Sequence, residues 1–397
     1  MSYVQRLEPH EFTLGGGKKL LLGQIDIELT ERCNNNCVHC CINLPEHDPD
    51  ALKREMSTDV VKKILTDAAN LACMTVRFTG GEPLLRPDLA ELYLFARRLG
   101  MMVVLFTNGR LITRELAELL AKYPPGRVVE ISVYGMSAES YDRVAGHAGA
   151  FVEFRRGIEL LLEYKIPFIV KAPKLQFLND EHEQFEAWAA TIPAMDNIPG
   201  YSINFDLRSR RDNLAKNTHI ITLRATPEKT VALLSRNPGY LSDMGQFCAK
   251  FMRPAGDRLF SCGAGHGTCI DAYGQAQVCL PLRHKHYSVD LQEVSLKRTL
   301  EEMFPAMCEM KVTNPDYLRR CAVCFLHGLC EQCPAKSWAE YGTLDTPVEY
   351  LCEVAHAQAR FLGLLNEHER AWEVGDAKER VAAFVAQHWP DGQTAEG

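Results

Sequence analysis

Hydrophobic and polar positions along the chain follow two alternating periods. Short apolar runs, most with β-branched residues and several closed by Gly or Pro, recur at 23–30 (GQIDIELT), 74–81 (MTVRFTGG), 102–109 (MVVLFTNG), 128–135 (VVEISVYG), 167–172 (PFIVKA) and 201–207 (YSINFDL). These read as strands. Between them, apolar residues recur at helical spacing, as in 57–72 (STDVVKKILTDAANLA), with Ser57 placed as an N-cap, and 86–100 (RPDLAELYLFARRLG), with Pro near its start and Gly at its end. Segments 113–123, 151–164 and 182–192 repeat the pattern. Strands alternating with helices imply a parallel sheet. Six units are too few for an eight-unit barrel, so the expected fold is α/β, a partial (β/α)6 TIM-like barrel over 22–210. A polar, irregular stretch at 211–255 reads as a linker with some helix. A Gly- and Cys-rich region at 256–365 and a helical tail at 366–397 follow, and 1–21 is an N-terminal extension.

Composition narrows the class. The 397 residues suffice for about two domains, and a formal charge of −7 argues against nucleic acid as a partner. The start lacks a basic segment followed by an apolar run, and no stretch approaches the ~20 apolar residues that cross a bilayer. The expectation is a cytoplasmic protein with no membrane partner. Fifteen cysteines in a reducing compartment point to metal or redox chemistry rather than disulfides.

The cysteines fall into two groups with a metal-free scaffold between them. Cys33, Cys37 and Cys40 form a Cys-x3-Cys-x2-Cys run directly after the first strand, where barrel enzymes place their chemistry. Structural zinc wants four ligands, and Cys41 diverges from its neighbour Cys40. Three thiolates and a vacancy suit a cubane iron–sulfur cluster with one open iron. This run, with His39 before its last cysteine, resembles the signature of the radical S-adenosylmethionine (radical SAM) superfamily. The second strand ends in GGEP (80–83), the third in TNG (107–109), and the fourth reads ISVYG, then YDRVAG, as in that superfamily. The resemblance covers about residues 20–210.

It implies that S-adenosylmethionine chelates the open iron of a [4Fe–4S] cluster held by Cys33, Cys37 and Cys40, and is cleaved to a 5′-deoxyadenosyl radical. It assigns cofactor contacts to His39, Gly80, Gly81, Glu82, Pro83, Asn108, Ser132 and Arg143. Tyr134 and Ala145 depart from the Asp and Arg that many relatives carry there. The later cysteines resemble the SPASM extension of peptide-modifying relatives, which carries two auxiliary [4Fe–4S] clusters. By that analogy Cys262, Cys269, Cys279 and Cys333 hold the first, and Cys321, Cys324, Cys330 and Cys352 the second, three clusters in all. From spacing alone, the Cys-x2-Cys pairs also fit zinc knuckles. Cys41, Cys73, Cys248 and Cys308 read as buried small apolar residues. His266, His284, His286 and His327 read as hydrogen-bonding or solvated. RSRRDN (208–213) reads as a solvated face or a site for an acidic peptide or phosphate.

The expected function is an enzyme that oxidatively modifies or cross-links side chains of a ribosomal peptide or small protein. Auxiliary clusters with no open iron supply the electron acceptor. Expected partners are a flavodoxin- or ferredoxin-type donor and a separate leader-peptide-binding protein, since little chain precedes the first strand. The alternatives are oxidation of a small molecule (a sugar, alcohol or tetrapyrrole), sulfatase-type maturation, or an electron-carrying scaffold. Leu280, where sulfatase-type relatives have an acidic base after the cysteine, weakens the second of these.

Overall fold

A computed structural model describes residues 22–262, 264–265 and 268–390. The expected N-terminal extension, His266 and the end of the tail lie outside the described residues. The strands are β1 (Gln24–Thr30), a short pair β2 (Arg32–Cys33) and β3 (Leu44–Pro45), then β4 (Thr75–Gly80), β5 (Met102–Thr107), β6 (Val129–Ser132), β7 (Phe168–Pro173) and β8 (Gly200–Ser202). The long strands run β1-β4-β5-β6-β7-β8, each parallel to the next. This is the expected partial barrel. The central strands alternate: Ile25, Ile27, Val76, Phe78, Val103, Leu105, Ile131 and Val170 share one buried apolar face, and Asp26, Glu28, Arg77, Glu130 and Lys171 take the other. Ser57 does cap the helix Thr58–Asn70, accepting the Val60 N–H.

The described residues divide into two compact units, Met1–Leu223 with Ala264–Met307, and Arg224–Gly263 with Cys308–Gly397. The first unit holds a feature the sequence reading lacked. Three further strands, β9 (Thr268–Ile270), β10 (Gln275–Gln277) and β11 (Ser288–Asp290), extend the sheet beyond β1, in the order β11-β10-β9-β1. β9 runs parallel to β1, pairing Ile25 with Thr268 and Ile27 with Ile270, and β10 and β11 are antiparallel. Three-residue strands carry almost no periodic signal. Their pairing answers the unpaired edge of β1, so residues 264–307 of the expected 256–365 domain fold with the barrel.

The second unit is helical. Helices Tyr240–Phe251, Glu349–Phe361 and Ala377–His388 bury Tyr240, Met244, Phe325, Leu364 and Phe384 in one cluster. The stretch expected as a linker is mostly helix, Leu214–Leu223 in the first unit and Pro227–Leu234 and Tyr240–Phe251 in the second. Helix Glu349–Phe361 stops short of the expected tail because Gly363 turns to φ 73°. No described helix is long and apolar enough to cross a membrane.

Candidate functional site

The cysteine loop hangs between β2 and β3, at the carboxyl ends of the parallel strands. Three neighbours hold it. Helix Ala138–Ala145 leaves its last carbonyls without intrahelical partners, and those of Ala145 and Val144 accept the N–H groups of Asn36 (2.8 Å) and Val38 (3.1 Å). After β5, Arg110 is 3% exposed and donates to the Asn34 carbonyl and Asn35 Oδ1, both at 2.5 Å, while Glu153 balances its charge. Asn108 donates to Asn34 Oδ1 at 2.7 Å and lies 3.9 Å from Cys33 Sγ.

Gly80 and Gly81 pack against the end of β1 and the start of β2, where the loop begins. Their neighbours Gly81 and Glu82 donate backbone N–H bonds to Thr30 and Arg32 carbonyls, at 2.7 and 2.8 Å. A Cβ on Gly80 (φ +125°) would lie 2.1 Å from Thr30 O, and one on Gly81 2.2 Å from Arg32 O. The glycines let two backbones touch. Glu82 is fully buried and accepts Thr107 Oγ1 and the Asn108 N–H, both at 2.8 Å, and the Leu84 N–H at 3.0 Å. Burial pushes its carboxyl up to about 7 against the pull of those bonds. Its oxygens are engaged with β5 and with the turn at Pro83.

Around the thiols, Cys33 Sγ accepts the Asn35 N–H at 3.4 Å, and Tyr134 hydrogen-bonds Cys37. Burial pushes the Cys37 thiol up to about 12, with the nearby Cys40 adding to it, and Cys33 rises for the same first reason. The His39 ring lies 5.3 Å from Phe205 and 5.9 Å from Tyr134, and burial lowers its pKa to about 4, so it is neutral. Ser132 ends β6. Arg143 is exposed, its guanidinium 3.9 Å above Phe177. Lys216 brings a cation to the loop: it bonds Asn43 Oδ1 (2.8 Å) and Asn36 Oδ1 (3.3 Å) and feels the charges of Cys40 and Cys37. A polar cavity of about 590 Å³ opens beside it, lined by Cys33, Asn34, Asn35, Asn36, His147, Arg208 and Lys216 among others.

RSRRDN proves to be a brace. Arg208 is 3% exposed, pairs with Asp212 at 2.6 and 2.8 Å and reaches the Asn43 carbonyl. Arg210 pairs with Glu31 and bonds the Ile42 carbonyl. On the other side of β1, Arg283 pairs with Glu28 and Glu31, and Tyr273 donates to Glu31 at 2.7 Å. The thiol of Cys41, raised to about 12 chiefly by burial, senses Asp206, Arg283 and Glu28. None of Arg110, Lys216 and Arg283 was singled out from the sequence. Arg110 directly follows TNG, which was the available signal.

The later cysteines divide between the units. Cys269, 3% exposed, is on β9 and Cys279 follows β10 in the first unit; Cys262 and Cys333 belong to the second. Cys321, Cys324, Cys330 and Cys352 line one cavity, with Tyr317, Leu326, Val348, His356 and Trp372 among its other walls. Cys324 accepts a backbone N–H from Leu326 and Cys330 one from Gln332. Among the described residues, no three His, Cys, Asp or Glu side chains converge on a single ion; these four thiols line one cavity, and backbone N–H groups face two of their sulfurs, those of Cys324 and Cys330. That donor set suits a sulfur-rich cluster. Cys73 and Cys248 are buried, the latter in the apolar cluster of its unit, whereas half-buried Cys308 senses Cys262. His327 bonds Ser261 at 3.0 Å, and the His284 and His286 rings lie 4.9 Å apart.

Residues 27–189 match the family model of the radical SAM superfamily. The chain therefore carries a radical SAM domain. The Cys33–Cys40 segment and the strand ends that hold it lie inside the match. Among curated proteins, an AdoMet-dependent heme synthase of Methanosarcina barkeri is 38% identical over 36% of this chain and 39% of its own. A PqqA peptide cyclase of Rhodopseudomonas palustris is 35% identical over 37% and 38%. The chain thus spans less than half the length of these relatives. The fold likeness runs further. A structure of anSMEcpe with bound AdoMet superposes with a TM-score of 0.60 over 92% of this chain and 98% of that one, at 16% identity. Streptococcus suis SuiB bound to its precursor peptide SuiA gives 0.60 over 84% and 76%, also at 16% identity. The shared fold therefore reaches past the radical SAM domain into the cysteine-rich region.

Proposed function

We propose that this chain is a radical SAM enzyme that oxidatively modifies or cross-links side chains of a ribosomally made peptide. A [4Fe–4S] cluster on Cys33, Cys37 and Cys40 would supply the electron that cleaves S-adenosylmethionine. The chain's own residues support the reading by what they do around that loop. Arg110, Asn108 and the carbonyls of Val144 and Ala145 fix its backbone, so the three sulfurs keep their spacing. Neutral His39, with Phe205 and Tyr134, offers an aromatic wall for an adenine. Lys216 offers a carboxylate the cation that the exposed Arg143 does not bring to the loop. The polar cavity beside Lys216 falls in the size range of small-molecule sites.

The observation that carries the oxidative outcome is the four-cysteine cavity. Four thiolates leave no iron open for substrate, which suits an electron acceptor. The peptide class draws support from the likeness to SuiB with SuiA and from the peptide cyclase. The heme synthase favours a second reading, oxidation of a tetrapyrrole.

One experiment separates them. Anaerobically reconstituted protein, dithionite and S-adenosylmethionine should yield 5′-deoxyadenosine, and a Cys33→Ala/Cys37→Ala/Cys40→Ala variant none. A precursor peptide, with any leader-binding partner, should then lose two hydrogens per modification by mass spectrometry. Turnover of an iron porphyrin instead would establish the second reading, and undiminished 5′-deoxyadenosine from the variant would refute both.

A further inference from the structure

Helix Glu349–Phe361 carries Cys352 and, one turn later, His356, which is 1% exposed. His356 Nε2 accepts the backbone N–H of Ala371 at 3.1 Å. A backbone N–H can only donate, so the ring proton sits on Nδ1. That N–H faces Cys352, at 2.8 Å from its carbonyl oxygen and 3.6 Å from its sulfur. A second donor meets the same sulfur: Arg320 Nη2 lies 3.8 Å from Cys352 Sγ. Its guanidinium is held in place by Glu349, at 2.6 and 2.9 Å, and lies 4.7 Å from the Trp372 ring centroid. Arg320 Nε is also buried and has no hydrogen-bond partner. Cys324 and Cys330 each face a backbone N–H, whereas Cys352 faces two side chains, one of them cationic.

We infer that Arg320 and His356 are positioning residues that raise the reduction potential of a cluster held by Cys321, Cys324, Cys330 and Cys352, acting through the Cys352 sulfur. This rests on the proposed reading of those four cysteines as cluster ligands. An N–H aimed at a ligand thiolate stabilises negative charge on it. The reduced cluster carries one more electron than the oxidised one, so it gains more from each donor. One electron enters and no bond is made or broken at the cysteine. A raised potential fits this cluster to receive an electron rather than to deliver a strongly reducing one.

The test is a potentiometric titration of the reconstituted full chain, followed by electron paramagnetic resonance. A Cys321→Ala/Cys324→Ala variant first identifies the signal of this cluster by its disappearance. If all signals and iron survive that variant, the reading of the cysteines as ligands fails, separately from the tuning idea. Arg320→Gln should then lower the midpoint of that signal by a factor of ten or more in the reduction equilibrium, about 59 mV for one electron. His356→Phe should shift it the same way by less, Arg320→Lys should restore most of the loss, and the other signals should stay put. An iron-replete Arg320→Gln or His356→Phe protein titrating at the wild-type midpoint overturns the inference. If one variant cannot hold this cluster the other decides. Loss of the cluster from both overturns it too, because tuning residues are not needed for assembly.

Discussion

Glu82 and Gly81 sit side by side in one strand-end motif and work by different physics. The Glu82 carboxyl is held at about 7, above its ordinary value of 4.5, because burial outweighs the three hydrogen bonds it accepts. With the folded pKa raised, its contribution to stability is complete below about pH 4.5 and is lost as pH rises through about 7, roughly 3 kcal/mol over that window. Urea titrations of the metal-free protein at pH 5 and pH 8 should show that decline. Glu82→Gln should flatten it while lowering stability at pH 5 by about 1–3 kcal/mol, because an amide nitrogen replaces one acceptor oxygen. An equal slope in both proteins would refute the assignment. Gly81 acts by size. A methyl there would meet Arg32 O at 2.2 Å and Glu31 O at 2.6 Å, both backbone. Gly81→Ala should cost about 1–3 kcal/mol and reduce iron bound at Cys33, Cys37 and Cys40, measurable by denaturation and iron analysis together.

At the level of elements, the cysteine loop is positioned by what surrounds β1. β4, β5 and helix Ala138–Ala145 hold it on one side, through Gly81, Arg110 and the helix's last carbonyls. On the other, the segment after β10 sends Arg283 to Glu28 and Glu31, carboxylates that are each 1% exposed. Removing one partner of a buried ion pair leaves the other charged and unsolvated, at a cost of about 3–5 kcal/mol. Arg283→Leu should therefore destabilise the first unit by that order, with Arg283→Lys costing less. Chemical denaturation measures this. A loss below about 1 kcal/mol would mean that Arg210 and Tyr273 alone hold Glu31, and that β1 does not depend on the added strands.

At the level of the whole molecule, the first unit carries Cys33, Cys37 and Cys40 and the second carries Cys321, Cys324, Cys330 and Cys352. A metal group that binds only the folded state stabilises that state by mass action. A Cys321→Ala/Cys324→Ala variant should lose about four iron per chain, one cubane's worth. It should also lower the thermal transition of the helical unit. The Cys33→Ala/Cys37→Ala/Cys40→Ala variant should lose a similar amount of iron and leave that transition in place. Calorimetry with iron and zinc analysis checks both. Tightly held zinc in place of the later iron, or a single transition moved equally by both variants, would contradict this account.

The parallel sheet and the place of the first cysteine loop at the end of its first strand were legible in the sequence. Strands with one apolar core face leave β-branched and apolar residues at every second position, and a strand-end motif must lie beside the strand it ends. The residues that grip the loop were not legible. Arg110, Lys216 and Arg208 are polar in a sequence window, and only folding shows Arg110 and Arg208 buried, and Lys216 half-buried, against Asn34, Asp212 and Asn43. β9 to β11 escaped for a related reason: three-residue strands have no period, and the open edge of β1 recruits them. The Cys352 donors lie one helical turn and thirty-two positions away. Chain order cannot bring Arg320 and His356 to one sulfur, because that approach is made by packing between elements and not by spacing along the chain.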